Sequence, residues 1–390
     1  MRIKMFDRFV RKRLFKELNK IKSGSLKVTF PEGDTHLFNG TEAGINADIQ
    51  LKDWRVIANL GNKGDVGFAS DYRDDYWDCS NLEALLSFGL ANEKIFHSYG
   101  HGNFVFKQLS KLLYLTQRNS LKGSKKNIQA HYDLGNEFYK LWLDPSMTYS
   151  SAIFETEDQD ITGAQHNKYD RLLSKITQKN ANILEVGCGW GGFAERAVLQ
   201  GHTVKGITLS NEQADFAQQR LQNSSAQIVI EDYRKQSGQY DYIVSIEMFE
   251  AVGMRYWPVY FKKMRQLLKP GGKLLIQTIT IDDKSFKQYT RSADMIRTFI
   301  FPGGMLPSEK VLQNQFKSIG LKCDNIYRFG HDYAQTLRYW LKKFDENYTK
   351  IRQMGFDDGF IKLWRFYLAA CSAGFMANKI NVIQMEITHA

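Results

Sequence analysis

Runs of apolar and polar positions divide the chain into two predicted regions. Between residues 23 and 70, short apolar segments such as "SLKVTF", "GDTHLF" and "ADIQLKDWRVIANL" are separated by glycine- or proline-containing turns, which predicts short strands. Residues 81–116 have apolar positions at helical spacing instead. We therefore expect a small N-terminal α+β domain over residues 1–116, followed by a basic linker, "QRNSLKGSKKNIQ", at 117–129.

Beyond this linker the pattern changes to apolar strand-like segments that alternate with helical stretches. The segments are "ANILEVG", "TVKGITL", "AQIVIED", "YDYIVSIE" and "GGKLLIQTIT". Strands separated by helices predict a parallel, doubly wound α/β sheet. From about residue 281 the chain is helical in pattern and rich in aromatic residues, with a final strand-like "NVIQMEIT".

The first 22 residues predict an amphipathic helix with a basic polar face. Its apolar positions are Met5, Phe6, Phe9, Val10, Leu14 and Leu18. Two interpretations stay open: a helix packed on its own domain, or an interfacial helix on anionic lipid. The formal net charge of +11 favours an anionic partner, such as nucleic acid, a phospholipid surface or an acidic substrate.

Composition narrows the class of protein. In 390 residues, 43% apolar and 24% charged side chains are typical of a globular protein, and no apolar run approaches the ~20 residues that span a bilayer. The N-terminus does not have the pattern of a signal peptide. The four cysteines form no CxxC pair and the histidines form no metal-binding motif, so we expect no metal site and a reducing, cytoplasmic location.

The segment "ILEVGCGWGGFAERA" predicts a strand, a glycine turn and a helix start, the arrangement that brings backbone close to a nucleotide-like ligand. A dinucleotide-binding fold would place an acidic residue at the end of the next strand, but "KGITLS" has none there. Glu185 instead precedes the first glycine by two residues. This order resembles class I S-adenosylmethionine-dependent methyltransferases, in which the acid orients the loop.

Seven motifs carry a more specific resemblance. They are "HYDLGNEFYKLWLDPSMTYSSA", "EVGCGWGG", "GITLSNEQ", "MFEAVG", "FIFPGGMLPS", "FGHDYAQTL" and "YLAACSAGF". In this order they resemble the cyclopropane-fatty-acyl-phospholipid synthase and mycolic acid cyclopropane synthase family, from about residue 128 to the C-terminus. The N-terminal "GDVGFASDYRDDYWDCSNLEALL" is similar to the extra domain of the bacterial phospholipid enzymes.

The resemblance implies a class I methyltransferase sheet over residues 130–390, whose C-terminal helical part binds the acyl chain, and an N-terminal domain that engages lipid. It implies S-adenosylmethionine as the cofactor. The implied cofactor residues are Tyr149, Ser150, Glu185, Gly187, Gly189, Gly191, Thr208, Leu209, Gln213, Tyr233, Arg234 and Ile246.

The family also holds a bicarbonate ion close to the methyl group, which makes bicarbonate a second expected cofactor. The implied catalytic positions are Ser151, Glu250, Gln277, Ile279 and Tyr333, together with Cys371, which "FYLAACSAGFMA" predicts to lie in a buried helix. Ser151 replaces the family's usual cysteine, and Gln277 and Ala251 replace two usual histidines. A hydroxyl and an amide can still donate to an anion.

The resulting expectation is an enzyme that forms cyclopropane rings on unsaturated acyl chains of phospholipids. A related enzyme giving a methyl-branched or methylene product without ring closure stays an alternative, as does a cofactor-binding protein with a regulatory or scaffold role. The expected partners are unsaturated phospholipid acyl chains, the anionic inner face of the membrane, and a second copy of this chain in a homodimer. Nucleic acid is not expected, because the catalytic motifs of nucleic-acid methyltransferases are absent.

Overall fold

The computed structural model describes residues 5–95 and 134–390, and side chains from residue 7 onward within them. The predicted linker at 117–129 and the end of the predicted helical stretch at 81–116 lie outside these residues. The chain forms two compact units: Met1–Thr116 with Arg291–Ile300 and Asn347–Ala377, and Gln117–Thr290 with Phe301–Glu346 and Asn378–Ala390. We call them unit 1 and unit 2.

Unit 1 contains a four-stranded sheet in the order β2-β1-β3-β4. Its strands are β1 (Ser23–Thr29), β2 (Thr35–Asn39), β3 (Glu42–Leu51) and β4 (Trp77–Asp78). β1 pairs with β2 and β3 with β4 in antiparallel fashion, whereas β1 and β3 run parallel. The α+β prediction for this region is confirmed within the described residues.

The described α-helices of this unit are α1 (Met5–Leu18), α2 (Arg55–Lys63), α3 (Asp65–Arg73) and α4 (Leu82–Ala91), with α13 (Tyr348–Gln353) and α14 (Asp358–Met376) from late in the chain. α4 packs on β1 and β3, and α14 packs on α3 and α4. Val10, Leu14 and Leu18 of α1 are buried, as expected for a helix packed on its own domain. Phe9, in contrast, is 66% exposed.

One segment that was predicted to be a strand is a strand only in its first half and a helix in its second half. "ADIQLKDWRVIANL" begins in β3, but α2 starts at Arg55. The physical reason is local: the Asp53 carboxylate accepts a hydrogen bond from the Arg55 backbone N–H at 2.8 Å, which satisfies a donor that the first helical turn leaves free.

The domain division also differs from the prediction, which assigned all of residues 130–390 to one domain. α14 belongs to unit 1, where its Phe366 ring packs against the rings of Phe68, Tyr72 and Trp77. The Phe68 and Trp77 rings are themselves stacked 4.1 Å apart. Burial of these large aromatic surfaces stabilises the packing of α14 within unit 1.

Unit 2 is built on a seven-stranded sheet in the order β10-β11-β9-β8-β5-β6-β7. The strands are β5 (Asn182–Val186), β6 (Thr203–Thr208), β7 (Ala226–Ile230), β8 (Tyr240–Ile246), β9 (Leu268–Ile281), β10 (Leu321–Arg328) and β11 (Ile380–His389). β5 to β9 are parallel, whereas β11 is antiparallel to β9 and to β10. The predicted doubly wound, largely parallel α/β sheet is confirmed.

The helices of unit 2 are α5 (Asn136–Lys140), α6 (Ile161–Leu173), α7 (Gly192–Leu199), α8 (Asn211–Arg220), α9 (Trp257–Leu267), α10 (Asp283–Tyr289), α11 (Glu309–Ser318) and α12 (Gly330–Glu346). Side chains from β5, β6, β8 and the helices α6 to α8 form one continuous apolar core. The edge strand β10 has only Leu321 fully buried, so its polar sequence did not predict a strand.

Candidate functional site

A pocket lies at the carboxyl ends of β5, β6 and β8, where the strand order continues from β5 to β6 and β7 on one side and to β8 and β9 on the other. Such a switch point is where open α/β sheets bind ligands. The wall contains residues from the loops after these three strands and from the segment 147–150.

The loop after β5 keeps its backbone close to this pocket by using glycines in the left-handed region. Gly187 has φ 83° and Gly189 φ 52°. A Cβ on Gly187 would lie 2.6 Å from the Met248 Cγ, whereas a Cβ on Gly189 would meet nothing within 4 Å and would enter open space. α7 begins just after the loop, so its free N–H groups and positive end are available to a ligand here.

Glu185, on the pocket wall, is 2% exposed, and burial raises its pKa well above the ordinary value. Its Oε2 atom has no hydrogen-bond partner among the described residues. A buried acceptor of this kind is costly unless a ligand donates to it. The amino group of S-adenosylmethionine is such a donor, and the wall therefore fits this cofactor.

Ten of the predicted cofactor residues line the pocket: Tyr149, Ser150, Glu185, Gly187, Gly189, Thr208, Leu209, Gln213, Tyr233 and Ile246. Within the described part of the chain, Gly191 and Arg234 do not. A Cβ on Gly191 would come 3.1 Å from Ala217, so this glycine serves the packing of α7 against α8. The Arg234 guanidinium pairs with Asp232.

The structure brings Ser151, Gln277 and Tyr333 together, but around a carboxylate that sequence analysis did not select. The Glu247 carboxylate accepts hydrogen bonds from the Ser151 backbone N–H at 2.8 Å, the Gln277 amide at 2.7 Å and the Tyr333 hydroxyl at 2.6 Å. Glu247 also lines the pocket. The Ser151 hydroxyl donates elsewhere, to the Ala152 carbonyl at 3.0 Å.

The predicted carboxylate, Glu250, makes a different set of bonds. Its Oε1 accepts from the Ile279 backbone N–H at 2.5 Å and from the Thr278 hydroxyl at 2.9 Å. Burial, and after it the neighbouring charge of Glu247, raises the pKa of Glu250 to about 8. Near neutral pH it is therefore largely protonated.

A buried lysine lies beside this cluster. Lys168 is fully buried, and its Nζ donates to the Ser150 hydroxyl at 2.5 Å. Burial lowers the pKa of Lys168 to about 7, opposed by the charge of Glu247. Burial in turn raises the pKa of Glu247, opposed by Lys168 and by the three donors.

Gln384 of β11 fixes the orientation of the Gln277 amide. The Gln384 amide donates to the Gln277 Oε1 at 3.0 Å, which leaves the Gln277 NH2 group directed at Glu247. Sequence reasoning missed Glu247, Lys168 and Gln384. The signal for Glu247 was available in "SIEMFE", which places two acids three residues apart after a buried strand.

Aromatic rings surround Tyr149 on the pocket wall. Trp142 and Trp340 lie 5.2 and 5.3 Å from it, between ring centroids, and Tyr139 lies 5.6 Å away. Such rings provide an apolar surface that also attracts a cation such as a sulfonium.

Cys371 lies on α14 in unit 1, whereas the pocket is formed by residues of unit 2. Burial raises the pKa of its thiol to about 12, so the nucleophilic thiolate is scarce near neutral pH. These features agree with a small, half-buried side chain in a helix.

Comparison with known proteins identifies the family. The model of the family "Mycolic acid cyclopropane synthetase" matches residues 119–385. Tuberculostearic acid methyltransferase UfaA1 of Mycobacterium tuberculosis (strain H37Rv) is 33% identical over 354 residues, 85% of this chain and 81% of that protein. Cyclopropane-fatty-acyl-phospholipid synthase of Escherichia coli (strain K12) is 31% identical over 347 residues, 87% of each chain.

A solved structure agrees with the sequence relatives. Mycolic acid cyclopropane synthase CmaA1 complexed with SAH and CTAB superposes with a TM-score of 0.63 and 32% identity, covering 67% of this chain and 97% of that one. The pocket, its glycine loop and these matches agree on one conclusion. The chain belongs to the mycolic acid cyclopropane synthetase family and is an S-adenosylmethionine-dependent lipid methyltransferase.

Proposed function

We propose that this enzyme transfers a methylene group to the cis double bond of unsaturated acyl chains in phospholipids, forming cyclopropane fatty acids. The observation that carries the proposal is a hydrogen-bonded carboxylate, Glu247, on the wall of the cofactor pocket. Ring formation on an alkene releases one proton, and a proton acceptor is needed beside the methyl donor.

The choice of phospholipid rests on how far each relative extends. The solved mycolic acid cyclopropane synthase matches 67% of this chain with nearly its whole length, whereas the Escherichia coli phospholipid enzyme matches 87% of it. A lipid-engaging N-terminal domain that this chain shares with the Escherichia coli enzyme would account for the additional matched length.

When bound, S-adenosylmethionine supplies an electrophilic methyl group. Glu185 and the backbone around Gly187 and Gly189 hold it, and Tyr149 with its neighbouring aromatic rings keeps water away. Exclusion of water matters because the alkylated chain carries a positive charge that water would trap.

A second candidate product is a methyl-branched chain that keeps a double bond. The observation that favours it is the similarity to an enzyme named tuberculostearic acid methyltransferase, which covers 85% of this chain. Both products add one CH2 unit, and they differ only in which carbon loses the proton.

Lipid analysis after expression in a host lacking such an enzyme tests the function. The expected result is phospholipid acyl chains heavier by one CH2 unit that resist ozonolysis, because a cyclopropane has no alkene. Chains of the same mass that ozone cleaves would establish the methyl-branched product. Unmodified phospholipids, with the enzyme present and binding S-adenosylmethionine, would exclude both.

We further propose that the enzyme docks on anionic membranes through the outer face of α1. Within residues 5–95 and 134–390, no helix is long and apolar enough to cross a bilayer. The outer face of α1 exposes Arg8, Phe9, Lys12 and Lys16. Cations around one exposed aromatic ring are suited to a negatively charged headgroup layer.

Vesicle co-sedimentation with a charge-reversed helix tests the docking. Arg8→Glu, Lys12→Glu and Lys16→Glu together should abolish binding to anionic vesicles, and wild-type binding should weaken as salt increases. The control reverses Lys27, Lys63 and Lys94, which are exposed cations elsewhere in unit 1, and makes the same change in net charge. Equal loss in both variants would show a general charge effect and would contradict docking through α1.

A further inference from the structure

The backbone of Glu247 adopts an unfavourable conformation. Its φ is 48°, in the left-handed region that suits glycine and is uncommon for other residues. Non-glycine residues in this region persist when the surrounding structure fixes them, and they cluster at functional sites. The Glu247 N–H is bonded to the Gln277 carbonyl at 2.8 Å, which holds the turn in place.

The side chain that this turn presents is held from three sides. A backbone N–H, an amide and a phenol all donate to the one carboxylate, and Gln384 fixes the amide that donates. Donors of this kind stabilise the ionised form and aim it. Lys168 adds a favourable charge beyond hydrogen-bond distance. Glu247 shares the pocket wall with Gly187 and Ser150.

We propose that the Glu247 carboxylate is the general base that removes the proton in the reaction proposed above. The inference rests on that proposed function. Because Glu247 already engages the donors of Ser151, Gln277 and Tyr333, the wild-type enzyme works with its own carboxylate and needs no added bicarbonate.

The step balances without any further reactant. The alkene π electrons form a bond to the transferred methyl carbon while the sulfur–carbon bond breaks and leaves its electron pair on sulfur. The acyl chain then carries the positive charge. Glu247 takes one proton, and the C–H electron pair closes the ring or, if the proton comes from the chain, forms a double bond. The proton later passes from the neutral Glu247 to solvent.

Two substitutions of Glu247 separate its chemistry from its structural role. Glu247→Gln keeps size and one acceptor but loses basicity, and turnover should fall by about 100-fold or more. Glu247→Gly suits the positive φ and leaves the three donors facing free space. Its melting temperature should therefore not fall below that of Glu247→Ala, which retains the backbone strain.

Rescue with small anions provides the decisive readout. With Glu247→Gly, bicarbonate should restore turnover by about tenfold or more, since an added base can occupy the vacated space. Nitrate has the same planar shape and charge but is not a base, and it should not rescue. With Glu247→Gln the amide fills the space, so neither anion should restore activity.

Each outcome either supports the inference or overturns it. Equal rescue by nitrate would show that only a negative charge is needed, and Glu247 would then not be the base. A Glu247→Gln enzyme with more than a tenth of wild-type turnover, or a wild-type enzyme that stops in carbonate-free buffer, would also overturn it. If the wild type modifies no phospholipid chains at all, the proposed function fails instead, which the lipid analysis shows separately.

Discussion

Two loops face each other at the carboxyl ends of β5 and β8, and both hold backbone at positive φ. After β5 the residues concerned are glycines, Gly187 and Gly189, which adopt this region without steric conflict. After β8 the residue is Glu247, for which the same region is unfavourable. A glycine at position 247 would form the same turn without strain. The strained residue is therefore present for its carboxylate side chain.

The comparison separates two uses of one backbone geometry. In the first loop, the lack of side chains lets a ligand approach the backbone and the start of α7. In the second, the same geometry directs a carboxylate to the donors of Ser151, Gln277 and Tyr333. One loop binds the cofactor, and the other provides the chemistry beside it.

The largest expected effect tests the first loop. Gly189→Val places a side chain in the open space of the pocket, and it should weaken S-adenosylmethionine binding by more than about 100-fold, close to abolition. Calorimetry measures the affinity. Gly238→Val is the matched control, because Gly238 also has positive φ (86°) and open space around it but lies outside the pocket. Unchanged affinity in Gly189→Val would remove the cofactor from this loop.

A smaller effect is expected from one donor of the second loop. Tyr333→Phe removes the hydroxyl that donates to Glu247 at 2.6 Å. A bond to a charged group contributes about 1.5–3 kcal/mol, so kcat should fall by roughly 10- to 100-fold. Losing a donor to the ionised form also raises the pKa of Glu247 further. The acid limb of the pH–rate profile should therefore move to higher pH.

The exposed Tyr327 of β10 offers the control for this change. Tyr327→Phe removes the same hydroxyl elsewhere in unit 2 and should leave both the rate and the profile unchanged. A Tyr333→Phe enzyme with lower kcat but an unshifted acid limb would indicate that Tyr333 positions the substrate and does not tune Glu247.

The two loops also differ in how far sequence could predict them. Glycine spacing and Glu185 indicated the first loop and its cofactor, and ten of the twelve predicted cofactor residues line the pocket. In the second loop, family resemblance selected Glu250, while the structure places Glu247 among the expected donors. Glu247 lies on the pocket wall and has a left-handed φ of 48°, and sequence periodicity indicates neither feature for one of two acids three residues apart.

The fold shows the same limit at a larger scale. Alternation of strands and helices predicted the sheet of unit 2, because buried parallel strands form apolar runs. It did not predict that α14 belongs to unit 1. That assignment depends on which aromatic surfaces meet, such as Phe366 and Trp77, and long-range packing of this kind leaves no local pattern in the sequence.

A further prediction concerns stability and the second carboxylate of the loop after β8. The pKa of Glu250 is raised from 4.5 to about 8, so the folded state holds a proton that the unfolded chain releases. This contribution to stability is fully present below pH 4.5 and is lost as pH rises through about 8. Glu250→Gln mimics the protonated form at every pH.

The difference in melting temperature between Glu250→Gln and wild type should therefore grow in favour of the variant from about pH 5 to pH 8. A shift of several pKa units corresponds to a few kcal/mol, or roughly several degrees. Scanning calorimetry across this range measures it. A constant difference would mean that Glu250 is ionised in the folded protein, and the contrast between the two carboxylates would then disappear.

The smallest expected effect distinguishes the adjacent serines of "SMTYSSAIFE". Ser151 donates to Glu247 through its backbone N–H, while its hydroxyl bonds the Ala152 carbonyl. Ser151→Ala and Ser151→Cys keep the backbone donor, so turnover should change by less than about threefold, the equivalent of well under 1 kcal/mol.

Ser150→Ala differs, because the Ser150 hydroxyl accepts a hydrogen bond from the buried Lys168, and its loss leaves the Lys168 amino group without this acceptor. It should reduce turnover more than either change at Ser151. If Ser151→Ala proves the more damaging, the hydroxyl rather than the backbone N–H serves the second loop.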